Sequence, residues 1–176
     1  MVRTTPDFLA NLRSPTRPNR FKVIVPFPTF AIVGGETQEL SFLAKAAALP
    51  ASTLGVIDVP FNGRKIKLAG DRNDDEGWTI TVISDNNFKV RDAFERWQNG
   101  IRSHKSNEGL ANLNDYVTDV VVQQLDMADN VVKEYTLESS WCDRIGQMEL
   151  SYDTENTISE FEVSFQYQNI VTNTTT

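Results

Sequence analysis

The chain has 176 residues, 40% of them hydrophobic, enough for one packed domain or two small ones and too apolar for a disordered chain. It holds one cysteine, so an internal disulfide is excluded, and no run of about 18 apolar residues that would span a membrane. The net charge of −7 argues against a free nucleic-acid binder, which works mainly through basic contacts to phosphate.

The charge is unevenly spread. Residues 1–107 hold 15 Lys/Arg against 11 Asp/Glu, a balance of +4, whereas residues 108–176 hold Lys133 and Arg144 against 13 acids, a balance of −11. Part of the surface is therefore expected to be strongly anionic: either an ordinary solvated face or one that must not adhere to a polyanion.

The first twenty residues, MVRTTPDFLANLRSPTRPNR, lack an apolar signal-peptide core, so synthesis in a cytoplasm is expected. All seven prolines lie at or before Pro60, and residues 1–19 are predicted to form an extended arm that Phe8, Leu9 and Leu12 dock onto the body or a neighbour. Phe21 to Val25 reads as a first strand. Gly34-Gly35 suggests a turn. Alternation of Leu40, Phe42, Ala44, Ala46 and Ala48 predicts a second strand, stopped by Pro50.

Residues 51–62 form an irregular, hairpin-like excursion in which Val56, Ile57, Val59 and Phe61 are interrupted by Gly55, Asp58 and Pro60. It is either a projecting contact surface or a segment folded back on the core. Arg64 to Leu68 alternates, with Ile66 and Leu68 inward, and is expected to pair with Trp78–Ile80–Val82 across the polar turn Asp71 to Gly77. Asp85, Asn86 or Asn87 supplies a helix N-cap. Val90, Ala93, Phe94, Trp97 and Ile101 then make one helical apolar stripe.

Four further strands are predicted near Tyr116–Leu125, Val131–Leu137, Gln147–Tyr152 and Ile158–Tyr167, the last with Phe161, Val163, Phe165 and Tyr167 on one face. Residues 169–176 read as a fraying tail. The fold class is mainly β: an antiparallel sandwich or barrel of about eight strands with one packed α-helix. Residues 20–168 form the body.

Reactive clusters are wanting. One histidine, His104 in a polar loop, and one cysteine, Cys142, make neither a convincing Ser-His-Asp or Cys-His arrangement nor a zinc cluster. Cys142 is an inert structural thiol or a cross-link between copies. Asp71, Asp74, Asp75 and Glu76 lack the spacing and glycine of a calcium loop. Trp78, Phe94 and Trp97 suit core anchors. No catalytic residue, metal site or cofactor is assigned.

The run Lys45 to Ala51 (KAAALPA), then Asn62 to Arg72 (NGRKIKLAGDR), Trp78 to Val82 (WTITV), the helix with Phe94 and Trp97-Gln98, and Gly146 to Phe165 (GQMELSYDTENTISEFEVSF) carry a resemblance. Together with Trp141 they cover most of residues 20–168. This pattern resembles the tail tube proteins of contractile-tailed, T-even-like bacteriophages.

The resemblance implies a non-enzymatic virion subunit, assembled in the bacterial host cytoplasm, that forms hexameric rings stacked helically into a hollow β-barrel tube. Its implied partners are further copies of itself, the tail sheath outside, the tape-measure protein and passing double-stranded DNA in the lumen, and baseplate and tail-terminator proteins at the ends. The monomer is not expected to bind membranes.

On that basis Glu160, Glu162, Gln166, Glu149 and Asp119 are expected to face the lumen, where six times the −7 of one chain would keep the duplex sliding. Phe8, Leu12, Val56, Ile57 and Phe61 are expected between subunits or rings. The inner tube of a related, type VI secretion-like injection system and a monomeric β-barrel ligand-binding module are the alternatives.

Overall fold

A computed structural model describes Thr5, Leu9 and residues 15–73 and 77–174. Phe8 and Leu12 lie outside the described residues, as do Asp74, Asp75 and Glu76. Thr5 and Leu9 have helical rather than extended backbone.

The strands are β1 (Phe21–Ile24), β2 (Ala44–Ala47), β3 (Thr53–Phe61), β4 (Arg64–Asn73), β5 (Trp78–Ile83), β6 (Thr118–Leu125), β7 (Val131–Ile145), β8 (Glu160–Gln166) and β9 (Asn169–Thr172). The helices are α1 (Glu36–Leu43) and α2 (Lys89–Ile101). The mainly β antiparallel class is as expected, with nine strands and two helices among the described elements.

Seven strands form one sheet in the order β1-β6-β7-β8-β5-β2, with β9 also on β7. β7 belongs to both halves. Residues 131–140 pair with β6, and residues 141–145 pair with β8. The bend between them falls at Ser139, whose φ is 52°. There Asp119 Oδ1 accepts the Ser139 N–H at 2.9 Å, and the buried Ser140 hydroxyl donates to Leu137 O at 2.8 Å.

The helix α2 closes the core. Val90, Ala93, Phe94 and Trp97 are buried on one side of it, as their helical spacing requires. They meet the inward residues of β5 (Trp78, Ile80, Val82) and β8 (Phe161, Val163, Phe165). Phe27, Phe94, Trp97 and Phe165 make a chain of edge, tilted and stacked ring contacts with centroids 4.8–6.4 Å apart. Trp78 joins through Phe165 at 5.8 Å and donates its indole N–H to Ala48 O at 2.6 Å.

Several expectations are corrected. The predicted strand from Leu40 to Ala48 is instead the end of α1 followed by β2; Leu40 is fully buried and Phe42 is 79% exposed, so the two do not share a face. Glu36 explains the local fold. Its carboxylate turns back to accept the N–H groups of Val33 at 2.8 Å and Gly34 at 2.7 Å, which pins the entry to α1. Residues 147–152 form no strand and belong to a loop between β7 and β8. Residues 169–172 are not a fraying tail but β9, because Ile170 and its neighbours pair with Leu137 and its neighbours on β7. The N-cap of α2 is Phe88, with φ 55°. Asp85 serves from upstream, its Oδ2 accepting the N–H groups of Asn87 and Lys89 at 3.1 and 3.4 Å.

Glu36 is fully buried, and its carboxylate is also 3.2 Å from Arg96, which ties α1 to α2. Burial alone would raise its pKa. The N–H donors of Val33, Glu36 itself and Gly34, with the charge of Lys89, outweigh burial and hold it below the usual glutamate value. A lowered folded pKa stabilises above the unfolded pKa and loses that contribution as pH falls through the folded one. Glu36→Gln puts an amide N–H against N–H donors and is expected to cost about 1–3 kcal/mol at neutral pH. Below the usual glutamate pKa the gap should narrow. Urea melts of both proteins from pH 7 to pH 3 check this, and a gap that stays constant refutes it.

Candidate assembly surfaces

The first surface is the side of the sheet opposite α2. Along β8, Glu160, Glu162, Ser164 and Gln166 alternate with the buried Phe161, Val163 and Phe165, as period-2 pleating demands. Register sets Ile83, Thr81 and Thr79 of β5 opposite Glu160, Glu162 and Ser164. The Thr79 and Ser164 hydroxyls lie 3.1 Å apart, Gln166 Nε2 donates to Asp143 Oδ2 at 3.4 Å, and Lys45 forms an ion pair with Glu160. This is a wet face on which Glu160, Glu162 and Asp143 outnumber Lys45 and Arg144, with no buried chemistry.

Three of the expected lumen residues, Glu160, Glu162 and Gln166, thus stand together on one strand. Asp119 lies on β6, across β7, exposed and facing away from the buried Val120 and Val122; its carboxylate also holds the β7 bend. Glu149 is not on a strand. It lies in the 146–159 loop, on the wall of an open groove of about 1020 Å³ between that loop and β8. Leu150, Tyr152 and Ile158 of the loop are at least 67% exposed.

The second surface is a ribbon. β3 pairs with β4, not β4 with β5 as the sequence suggested, and the two form a separate two-stranded sheet. The turn is Asn62-Gly63, with φ of 46° and 77°. Positive φ at both central residues matches the twist of a tight hairpin, and Asn-Gly supplies it at least cost. That dipeptide is the signal in the sequence that identifies this pairing. Gly55 and Gly70 let the strands approach closely at a bulge, where a Cβ on Gly70 would lie 3.1 Å from Gly55 backbone.

The ribbon has two unlike faces. Register pairs Ile57 with Leu68, Val59 with Ile66 and Phe61 with Arg64, so five apolar side chains share one face. They are 38–62% exposed, Ile66 and Leu68 included, rather than inward as expected. Asp58, Lys65 and Lys67 take the other face, with Lys65 Nζ 3.7 Å from Asp58. Val56, beyond the bulge, is also exposed. The excursion therefore projects and does not fold back on the core.

Cys142 is buried among core residues, beyond reach of a thiol on another copy. Burial, aided by the Asp143 charge and opposed by the Gln98 amide donor, pushes its thiol up to about 12. His104 is exposed. Among the described residues no three His, Cys, Asp or Glu side chains gather where they could hold a metal ion, and no helix is long and apolar enough to cross a membrane.

A mainly β tile with one acidic sheet face and one ribbon whose apolar side is exposed among the described residues belongs to the class of self-assembling structural subunits. The chain is a member of the phage tail tube protein family, which it matches over residues 16–173. It is 35% identical over 151 residues to the tail tube protein of Serratia phage KSP90, covering 86% of this chain and 85% of that protein. It is equally 35% identical over 150 residues to tail tube protein gp19 of Enterobacteria phage T4, covering 84% and 86% of the two chains.

Solved structures share the fold. A chain of the anti-feeding prophage baseplate, determined with 6-fold symmetry, superposes with a TM-score of 0.66 at 17% identity, over 92% of this chain and 97% of that one. A chain of the sheath–tube complex of the extracellular contractile injection system PVC superposes at 0.58 with 13% identity, over 98% and 99%.

Proposed function

We propose that this chain is the structural, non-enzymatic subunit of a contractile phage tail tube. Six copies close into a ring, and rings stack into a hollow conduit inside the sheath, around the tape-measure protein and then the DNA. Baseplate and terminator proteins cap its ends. Assembly takes place in the host cytoplasm and the product is part of the virion.

The observation that carries this reading is the opposition of the two surfaces. The ribbon leaves apolar side chains in water, a state that association relieves. The acidic sheet face has the opposite character and suits a wall past which phosphate must slide without binding. The open sheet edges at β1 and β2 add a reason to close, because edge pairing around a ring removes both. A barrel of 16–18 strands already leaves a water-filled channel, and six subunits contributing about four strands each would leave a wider one. Stacking is heterologous and does not close, so it yields a filament.

The purified full-length protein is expected to scatter light as large particles and to show rings or hollow tubes by negative-stain electron microscopy. A persistent monomer would sink the reading. In a map of the tube, Glu160, Glu162 and Gln166 are expected on the inner wall. Finding them on the outer wall would leave the tube but overturn the lumen assignment.

A further inference from the structure

The dipeptide Asn-Gly occurs twice in the chain, at Asn62-Gly63 and Asn99-Gly100. In this pair the backbone nitrogen can attack the side-chain amide before it with least hindrance, because glycine puts no Cβ in the way. Both asparagines are exposed, so exposure does not separate them. Their backbones do. Asn62-Gly63 is the tip of the β3–β4 ribbon, beyond the last paired positions Phe61 and Arg64. Neither the Asn62 side chain nor the Gly63 N–H has a hydrogen-bond partner among the described residues, and a Cβ on Gly63 would meet nothing within 4 Å. No other strand or helix packs substantially on β3 or β4, and a two-stranded hairpin by itself is marginal in water, so the turn opens locally at small cost.

Asn99-Gly100 lies in the last turn of α2, where the Gly100 N–H belongs to the helical ladder and the Arg102 N–H continues it by donating to Gln98 O at 2.9 Å. Asn99 Oδ1 accepts the His104 N–H at 3.3 Å, and a Cβ on Gly100 would collide with the Phe30 ring. Attack there needs the helix end and its packing to come apart first. We infer that the ribbon tip is a site of spontaneous covalent modification: Asn62 deamidates through a cyclic imide with Gly63, whereas α2 protects Asn99. The Gly63 nitrogen bonds to Asn62 Cγ, the Cγ–Nδ2 bond breaks, and ammonia departs with the proton that the nitrogen has shed. Water then opens the imide ring. Cleavage at Cγ gives aspartate, and cleavage at the backbone carbonyl gives isoaspartate, whose main chain runs through Cγ. Either product adds one negative charge to the −7 of the chain. Isoaspartate also lengthens the turn by a carbon, which disturbs the tight Asn-Gly geometry that sets Phe61 opposite Arg64.

This modification does not depend on the tube reading. The full-length protein is held folded and dilute at mildly alkaline pH, and in parallel in urea, while peptide mapping by mass spectrometry follows both asparagines. An isoaspartyl methyltransferase with a labelled methyl donor marks isoaspartate. In the folded subunit residue 62 is expected to convert at least about tenfold faster than residue 99, and in urea, where both dipeptides are free, the two rates should agree within about threefold. The rate at residue 62 should rise with pH, because the attacking nitrogen must shed its proton. Asn62→Gln keeps an amide but would need a larger ring, and should remove the methyl label from the ribbon peptide. Equal rates in the folded subunit, or an Asn62 that keeps its amide as long as Asn99 does, overturn the assignment. Label that persists on the ribbon peptide of Asn62→Gln does the same. A gap between the two sites that survives in urea would come from the flanking sequence, and overturns the role given to the fold.

Discussion

Trp97→Ala is expected to lower the stability of the unassembled subunit by about 3–5 kcal/mol, the range for removing a large buried aromatic ring. For a chain of this length that is a fall of roughly 6–20 °C in melting temperature. Trp97 is fully buried, its ring meets Phe27, Phe94 and Phe165, and its indole N–H donates to Tyr116 O at 2.8 Å. Three losses coincide: apolar burial, the ring contacts, and the donor to a carbonyl just before β6. Trp97→Phe separates them. It keeps a ring but strands the Tyr116 carbonyl, so it should cost clearly less than Ala while still destabilising. Calorimetry of the dilute subunit at neutral pH tests both, and a Trp97→Ala protein melting within a degree or two of the wild type would contradict the core described above.

What made α2 legible is that its signal is self-contained. Val90, Ala93, Phe94 and Trp97 fall on one stripe whatever the rest of the chain does, and β8 alternates just as plainly. The misread segments are those where two periods compete or where partner choice decides. Leu40, Phe42 and Ala44 alternate like a strand, yet the carboxylate of Glu36, four residues before Leu40, anchors a helical turn there by long-range contact with Arg96. Residues 147–152 alternate too, but alternation does not supply a partner, and the neighbouring β8 already pairs with β5 and β7 on its two sides. The β3–β4 pairing was written locally in Asn62-Gly63. It competed with the acidic run from Asp71, which reads as a turn in the sequence although β4 continues to Asn73.

The candidate surfaces were legible to different degrees for the same reason. Glu160, Glu162 and Gln166 followed from alternation on a single strand. Glu149 had its place assigned from a strand that does not form, and so it moved from the sheet face to the groove wall. Ile66 and Leu68 alternate correctly but face water, because alternation reports that two faces differ and not which one the core covers.

The same point governs the largest expected effect on assembly. Phe61→Asp combined with Ile66→Asp should raise the critical concentration at least about a hundredfold, since each contact between copies would have to bury an unpaired carboxylate, a cost of several kcal/mol. In the free subunit both side chains are already about half exposed, 62% and 48%, and sit on a ribbon that the core does not touch. Melting of the dilute variant should therefore stay within a few degrees of the wild type. Val59→Asp, on the same face but the least exposed of the five apolar positions at 38%, should follow the same pattern with a somewhat larger effect on the monomer. Asp58→Asn, on the opposite face, should leave assembly nearly unchanged. Sedimentation and electron microscopy read the first quantity and thermal melting the second. If the double variant assembles like the wild type, the exposed apolar face is not an interface. If it fails to assemble only because it has unfolded, the ribbon belongs to the core after all. A folded subunit that no longer polymerises is the expected result, and it separates the part of this chain that makes a tile from the part that joins tiles.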